Sequence, residues 1–303
     1  MSRFIQIVEV GPRDGLQNEK LSLPVDEKVA LIRRLEAVGA RRIEAVSFVN
    51  PNRVPQMAGA EEIMTALTPE GPGDLIHARI GLVLNMRGWE RCVAAQCDEA
   101  NVVVCATDGF GVRNQGATSA QQMDTLAAIV ERQAVEGGPP ITMTLSVAFG
   151  CPFDGEVSED QVVALVREAA ALNVPEIAIA DTIGVADPWT VRKRIEAVRA
   201  AAPNARLRMH FHDTRNTGLA NAYASVEAGV DVLDASVGGL GGCPFAPNAT
   251  GNIGTEDLVY MLERAGFDTG YDLDALIGIG REISERLGKA PASSLARAGG
   301  FPA

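Results

Sequence analysis

Aromatic residues are scarce in this chain, at 5% of 303 residues, and there are only three histidines. Its apolar content, 47% of the chain, therefore rests mainly on aliphatic side chains. That is ordinary usage for a globular protein and excludes a disordered, coiled-coil or collagen-like chain. Cysteine is sparse and odd in number: Cys92, Cys97, Cys105, Cys151 and Cys243. No pair has the spacing of a zinc ribbon or a CxxC redox motif, so a reducing compartment is expected. Basic residues are outnumbered, with 27 Lys and Arg against 39 Asp and Glu, for a net charge of −12. That balance disfavours nonspecific nucleic-acid binding and docking on an anionic membrane. An anionic small molecule is not, because a few local Arg or Lys residues suffice for it. No apolar run is long enough to span a bilayer. Residues 1–10 enter a strand-like pattern at once, without a signal or transit segment, and a cytoplasmic location is expected.

What the chain has in abundance is alternation. Strand candidates at Phe4–Val10, Arg42–Phe48, Ile80–Asn85, Ala100–Ala106, Ile141–Ala148, Glu176–Asp181, Leu207–His212 and Val232–Val237 are rich in Val, Ile and Ala. Helical periodicity separates them at Val25–Val38, Glu61–Leu67, Trp89–Gln96, Ala120–Val135, Glu159–Leu172, Pro188–Ala201 and Leu219–Ala228, and Thr255–Ala265 follows the last strand. Eight units in strict alternation predict an α/β fold, a (β/α)8 TIM barrel over about residues 4–266. A doubly wound open sheet is the competing architecture, but no GxGxxG follows the first strand. Asp272–Leu287 reads as one more helix, opening a C-terminal helical segment over about 272–303. The chain is expected to be one catalytic domain. In a barrel, chemistry gathers where strands end.

The strongest local signal is Leu207-Arg208-Met209-His210-Phe211-His212-Asp213. Residues two apart on a strand share a face, so His210 and His212 should point the same way and form a metal-binding pair. Arg13 and Asp14 emerge where the first strand becomes a loop, shaped by Gly11 and Pro12. Alone, they could be a turn-closing pair. Glu44 is a carboxylate inside the second strand, either interior and paired or facing solvent. Asp181 ends the sixth strand with the same ambiguity. After the eighth strand, Gly238-Gly239-Leu240-Gly241-Gly242 allows close approach to a ligand, and Cys243 follows in that loop. Cys243 is therefore the cysteine expected to do chemistry. Asn252 could cap a turn or offer its carbonyl oxygen to a metal.

The segments VGPRDGLQNEK (10–20), IEAVSFVNPNRVPQM (43–57), GCPF (150–153), DTIGV (181–185), HFHDTRNTGLANAYASVEAGVDVLDASVGGLGGCPF (210–245) and ATGNIGTEDLVYML (249–262) resemble the 3-hydroxy-3-methylglutaryl-CoA lyase family. The resemblance runs nearly the whole length, in order. It implies a metal-dependent TIM-barrel lyase that splits 3-hydroxy-3-methylglutaryl-CoA into acetyl-CoA and acetoacetate. It implies Asp14, His210, His212 and Asn252 as ligands of one Mg2+ or Mn2+. It further implies Arg13 on the thioester carbonyl, Glu44 and Asp181 as active-site carboxylates, and Cys243 as the catalytic thiol. Asp181 is the first choice to take the substrate hydroxyl proton. Lys20 matches a residue that contacts the CoA portion. An acyl-CoA substrate and a homo-oligomer are the expected partners. Related lyases carry a Tyr on strand five where this chain has Thr144, and an Asn where it has Gly288. Both changes are expected to open the acyl pocket. Ala106-Thr107-Asp108 replaces an ASE-type motif, and the C-terminal Cys of animal members is absent. The alternatives are the same chemistry on a longer branched substrate, a condensing acyltransferase of the same superfamily, or a non-catalytic CoA- or metal-binding barrel.

Overall fold

Short aliphatic runs form strands that must be covered on both faces. Eight of them do so here: β1 (Gln6–Glu9), β2 (Arg42–Ser47), β3 (Ala78–Val83), β4 (Glu99–Cys105), β5 (Ile141–Ser146), β6 (Glu176–Asp181), β7 (Arg206–Phe211) and β8 (Val232–Ala235). The computed structural model describes residues 3–68, 77–242 and 251–302. In it, each strand pairs in parallel with its chain neighbours, and β1 closes the ring on β8, with Gln6 opposite Val232 and Glu9 opposite Ala235. This is the expected TIM barrel.

The helices α1 (Val25–Ala37), α2 (Ala60–Leu67), α3 (Met86–Ala94), α4 (Asp108–Gln115), α5 (Ser119–Glu136), α6 (Glu159–Ala171), α7 (Pro188–Ala201), α8 (Gly218–Glu227) and α9 (Thr255–Arg264) flank the strands in sequence. Their ends follow local chemistry. Thr118 and Ser158 form capping boxes with Gln121 and Gln161. Asp187 caps α7 by accepting from the N–H groups of Trp189 and Thr190, and Pro188 supplies a preset first turn. Each helix buries one stripe, such as Val29, Ile32 and Leu35 of α1, or Met123, Leu126 and Ile129 of α5. Each such side chain contributes about 1.5–3 kcal/mol on burial.

Strict alternation fails at one point. Helix α4 lies between β4 and α5, in a stretch whose Gly109, Gly111 and Asn114 hide helical periodicity. Its start is capped by Thr107, which accepts from Phe110 N, and Gly116 ends it at φ +76°. After β5, Gly150–Cys151 and Gly155–Glu156 add a small antiparallel pair. Beyond the barrel come α10 (Leu273–Arg286) and α11 (Ser294–Ala298). Helix α10 packs on the exit of β8 through Gly280, where an added Cβ would lie 1.9 Å from Glu256 Oε1. Among the described residues, no helix is long and apolar enough to cross a membrane.

The barrel floor is plugged by charge. Arg42 donates to both oxygens of Glu99 (2.7 and 2.9 Å) and of Glu176 (2.7 and 2.8 Å). All three residues are nearly inaccessible. Polar side chains on the interior at the N-terminal end of the strands serve stability, and the opposite end is left for chemistry.

Candidate active site

At the C-terminal end, β1 leads into a single π-helical turn, Gly11–Gly15, which carries Arg13 and Asp14 inward. Arg13 Nε donates to Glu44 Oε2 at 2.7 Å, its Nη2 grips the same oxygen, and its Nη1 meets Asp14 Oδ1 at 2.7 Å. Burial opposes the guanidinium's charge, but Glu44 and Asp14 outweigh it and raise the Arg13 pKa. Glu44 is therefore interior and paired. Its strand shifts register between Glu44 and Val46, a bulge of the kind that re-aims a side chain. Its other oxygen accepts from Asn101 Nδ2 at 2.8 Å, and Asn101 Oδ1 accepts from Thr144 Oγ1 at 2.9 Å.

From β7 and the residue after it come His210 and His212, with ring centroids 5.2 Å apart. One ligand atom each from Asp14, His210 and His212 lies within 4.8 Å of the others. Asp234 Oδ2 holds His210 Nδ1 at 3.0 Å, which leaves His210 Nε2 for a cation. Burial disfavours charge on His210, and Asp234 more than restores it, so the His210 pKa is raised. Burial would likewise raise Asp14, but Arg13 and the hydrogen bond from His212 hold its carboxyl well below the usual range. Asn252 is bridged to His212 and gives its Nδ2 to Asp14 Oδ2 at 2.8 Å. Its Oδ1 is buried with no hydrogen-bond partner among the described residues. An orphaned carbonyl oxygen beside a carboxylate and two imidazoles fits a divalent cation.

These groups open onto a cavity of about 600 Å³. Thr144 lines it, as do Gln17 and Asn18 of the first loop and Gly242 of the eighth. Asn18 Nδ2 ties those two loops by donating to Gly242 O at 2.9 Å. Gly238 and Gly239 take φ of +67° and +65° in the exit from β8, a backbone that glycine adopts without strain. Cys243 lies outside the described residues. Lys20 is exposed and off the cavity wall. Gly288 lines a separate surface depression with Arg281, Glu285 and Lys289, so it does not open the acyl pocket.

Asp181, expected as an active-site carboxylate, is held by the loop that follows β6. It is fully buried and does not line the cavity. Its two oxygens accept from Val185 N and Ala186 N, both at 2.9 Å. Its carboxylate braces the loop after β6. Burial raises its pKa against those two bonds.

Four interior groups went unnoticed in the sequence. Asp234 and Asn101 hold His210 and Glu44. Arg208 lies in the cavity wall. Glu9 accepts from Gly11 N (2.8 Å), Val237 N (2.9 Å) and Thr255 Oγ1 (2.7 Å), tying the exits of β1 and β8 to α9. A polar residue within a strand was the available signal for each.

A family model described as HMGL-like matches residues 4–283. The chain belongs to the HMGL-like family. Among its HMGL-like relatives, the 3-hydroxy-3-isohexenylglutaryl-CoA/hydroxy-methylglutaryl-CoA lyase of Pseudomonas aeruginosa is 40% identical over 98% of each chain. The (R)-citramalyl-CoA lyase of Chloroflexus aurantiacus is 40% identical, over 97% of this chain and 95% of that one. The mitochondrial hydroxymethylglutaryl-CoA lyase of Arabidopsis thaliana is also 40% identical over 97% of this chain, which spans 62% of its length. An HMG-CoA lyase from Acinetobacter baumannii, solved with coenzyme A and 3-methylmalate, superposes with a TM-score of 0.93 at 40% identity. That match covers 99% of this chain and 96% of the other. The protein is thus a lyase of the HMG-CoA lyase type, of a family that acts with a divalent metal on CoA thioesters.

Proposed function

We propose that the protein cleaves 3-hydroxy-3-methylglutaryl-CoA to acetyl-CoA and acetoacetate. The observation that carries this reading is one cavity shared by the Asp14, His210 and His212 donors and the Glu44-braced guanidinium of Arg13. Asp14, His210, His212 and Asn252 would hold Mg2+ or Mn2+. When bound, such a cation lowers the pKa of an alcohol and fixes its orientation.

The reaction is a retro-Claisen cleavage. The C3 hydroxyl loses its proton, the C2–C3 bond breaks with its electron pair going to C2, and C3 becomes the ketone of acetoacetate. Asp14, Asp234, His210 and His212 line the cavity and Asp181 does not, so an Asp or His of that set takes the hydroxyl proton. Arg13 stabilises the charge that develops on the thioester oxygen of the enolate. It is already oriented for this by Glu44 and Asp14, which lowers the reorganisation needed at the moment of reaction. Cys243 returns a proton to C2. Lys20, exposed and off the cavity wall, contacts the CoA portion.

A second reading keeps this chemistry with a larger or more polar acyl group. Thr144 on the cavity wall supports it, as do the isohexenylglutaryl-CoA and citramalyl-CoA names of two relatives. Product analysis with a panel of branched 3-hydroxyacyl-CoA thioesters decides between them. Acetyl-CoA and acetoacetate formed fastest from the methylglutaryl thioester support the first reading. Faster turnover of another member replaces it, and no cleavage of any member removes both.

A further inference from the structure

Arg208 is among the largest side chains that the fold buries completely, and it lines the cavity. It sits on the inward face of β7, two residues before His210, one layer deeper in the barrel than the cation ligands. In that layer its strand neighbour across β6 is Ala178, and beyond it on β5 is Thr144. The small Ala178 side chain lets Arg208 extend across it, so that its Nη2 comes within 3.5 Å of Thr144 Oγ1.

The two buried arginines on the barrel strands differ in how they are satisfied. Arg42 takes all four oxygens of Glu99 and Glu176 at 2.7–2.9 Å. Arg208 has one close partner, Asp234 Oδ1, 3.0 Å from its Nε. Its Nη1 reaches Glu176 Oε1 and its Nη2 reaches Thr144 Oγ1 only at 3.5 Å. The Thr144 hydroxyl proton is committed to Asn101. A guanidinium carries five N–H donors, and burying them without good acceptors is costly. An acceptor supplied from the cavity would complete the set.

We propose that Arg208 is a specificity-determining residue that binds an oxygen-bearing branch of the acyl group. The favoured substrates would be 3-hydroxyacyl-CoA thioesters whose C3 branch ends in a carboxylate or carbonyl oxygen. This rests on the lyase reading above. A purely apolar branch of equal size leaves the Arg208 donors unmet and desolvated, which is how a site built for hydrogen bonding rejects an alkyl analogue.

The test is kcat/KM for two isosteric thioesters, 3-hydroxy-3-(carboxymethyl)glutaryl-CoA and 3-hydroxy-3-isobutylglutaryl-CoA, with the methyl compound as reference. Wild type is expected to favour carboxymethyl over isobutyl at least ~10-fold. Arg208→Met should erase or invert that ratio while still cleaving the methyl compound, and Arg208→Lys should keep part of it. An equal loss on all three thioesters in a folded Arg208→Met would mean a structural role only and overturn the proposal. So would a wild-type preference for isobutyl, which needs no variant to fold. If wild type cleaves none of the three, the lyase reading fails instead.

Discussion

Asn252 turns its amide nitrogen to Asp14 Oδ2 at 2.8 Å and leaves its own carbonyl oxygen buried and unpartnered among the described residues. An unsatisfied buried acceptor costs about 1–3 kcal/mol. A cation shared with Asp14, His210 and His212 would recover that cost. A chelator is expected to abolish turnover, with Mg2+ or Mn2+ restoring it. Asn252→Ala should weaken Mn2+ binding, read by electron paramagnetic resonance, at least ~10-fold, in line with the loss of a metal-site contact. Unchanged Mn2+ affinity would remove Asn252 from the ligand set.

The Arg13–Glu44 pair gives the second prediction. Glu44 fixes two nitrogens of the guanidinium and is itself fixed by Asn101. Arg13→Met should lower kcat by ~10²–10³, the usual cost of removing a donor to a developing oxyanion. Glu44→Gln keeps the shape and loses the charge. It should lower kcat by a smaller factor with little change in KM. Equal kcat for wild type and Arg13→Met would take Arg13 out of the chemistry.

The exits of β1 and β8 predict an unusual pH dependence of stability. Burial raises the Glu9 pKa to about 7, against hydrogen bonds from Thr255, Val237 and Gly11. Burial raises the Glu256 pKa to about 8, although Gly238 N donates to it. For both acids the folded value lies above the unfolded one near 4.5. The native state therefore binds more protons across pH 5–8, and stability falls as pH rises through that window. Glu256→Gln cannot ionise. Its stability relative to wild type should improve from pH 5 to pH 8 by on the order of 3 kcal/mol. Denaturation in chelator at the two pH values checks this, and parallel pH profiles would refute it.

The parts of the site written as local patterns were legible from the sequence. His210 and His212 are two apart on a strand, and period two alone puts them on one face. Asp14 sits in the turn that follows the first strand. Helix α4 was not legible, because Gly109 and Gly111 mask its periodicity while its Thr107 cap depends on a loop geometry seen only in three dimensions. Asp181 shows the same limit. It does end a strand, but in register it pairs with Phe211, which lies between the two histidines on the opposite face. Arg208, Asp234 and Asn101 look in sequence like any polar residue in a strand. Only closure of the barrel shows that all three face inward.

Cys243 remains a prediction from the chain. Cys243→Ser is expected to keep the fold and the cation affinity and to lose ~10²–10⁴ in kcat, the usual contribution of a positioned general acid. A serine hydroxyl has a far higher pKa than a thiol and is a poorer proton donor here. Near-normal turnover of the serine variant would assign proton return to another group.

Thr144 and Arg208 line the same cavity, and residue 144 is expected to govern the size of acyl group that it admits. It lines the cavity and holds Asn101 at 2.9 Å. Thr144→Tyr would add a ring to that space and also remove the contact to Asn101. The lost contact should lower turnover of every substrate, because it loosens Glu44 and through it Arg13. The added volume should penalise a longer C3 substituent more than a methyl group, with one methylene in an apolar pocket worth ~1–3 kcal/mol. The ratio of kcat/KM for a longer thioester to that for the methyl compound separates the two effects, because the first cancels in it. Thr144→Tyr is expected to lower that ratio ~10-fold or more per added methylene beyond the methyl. If wild type already rejects the longer thioester and the variant leaves the ratio unchanged, the pocket is closed by something other than residue 144. The methylglutaryl reading then stands without a longer alternative.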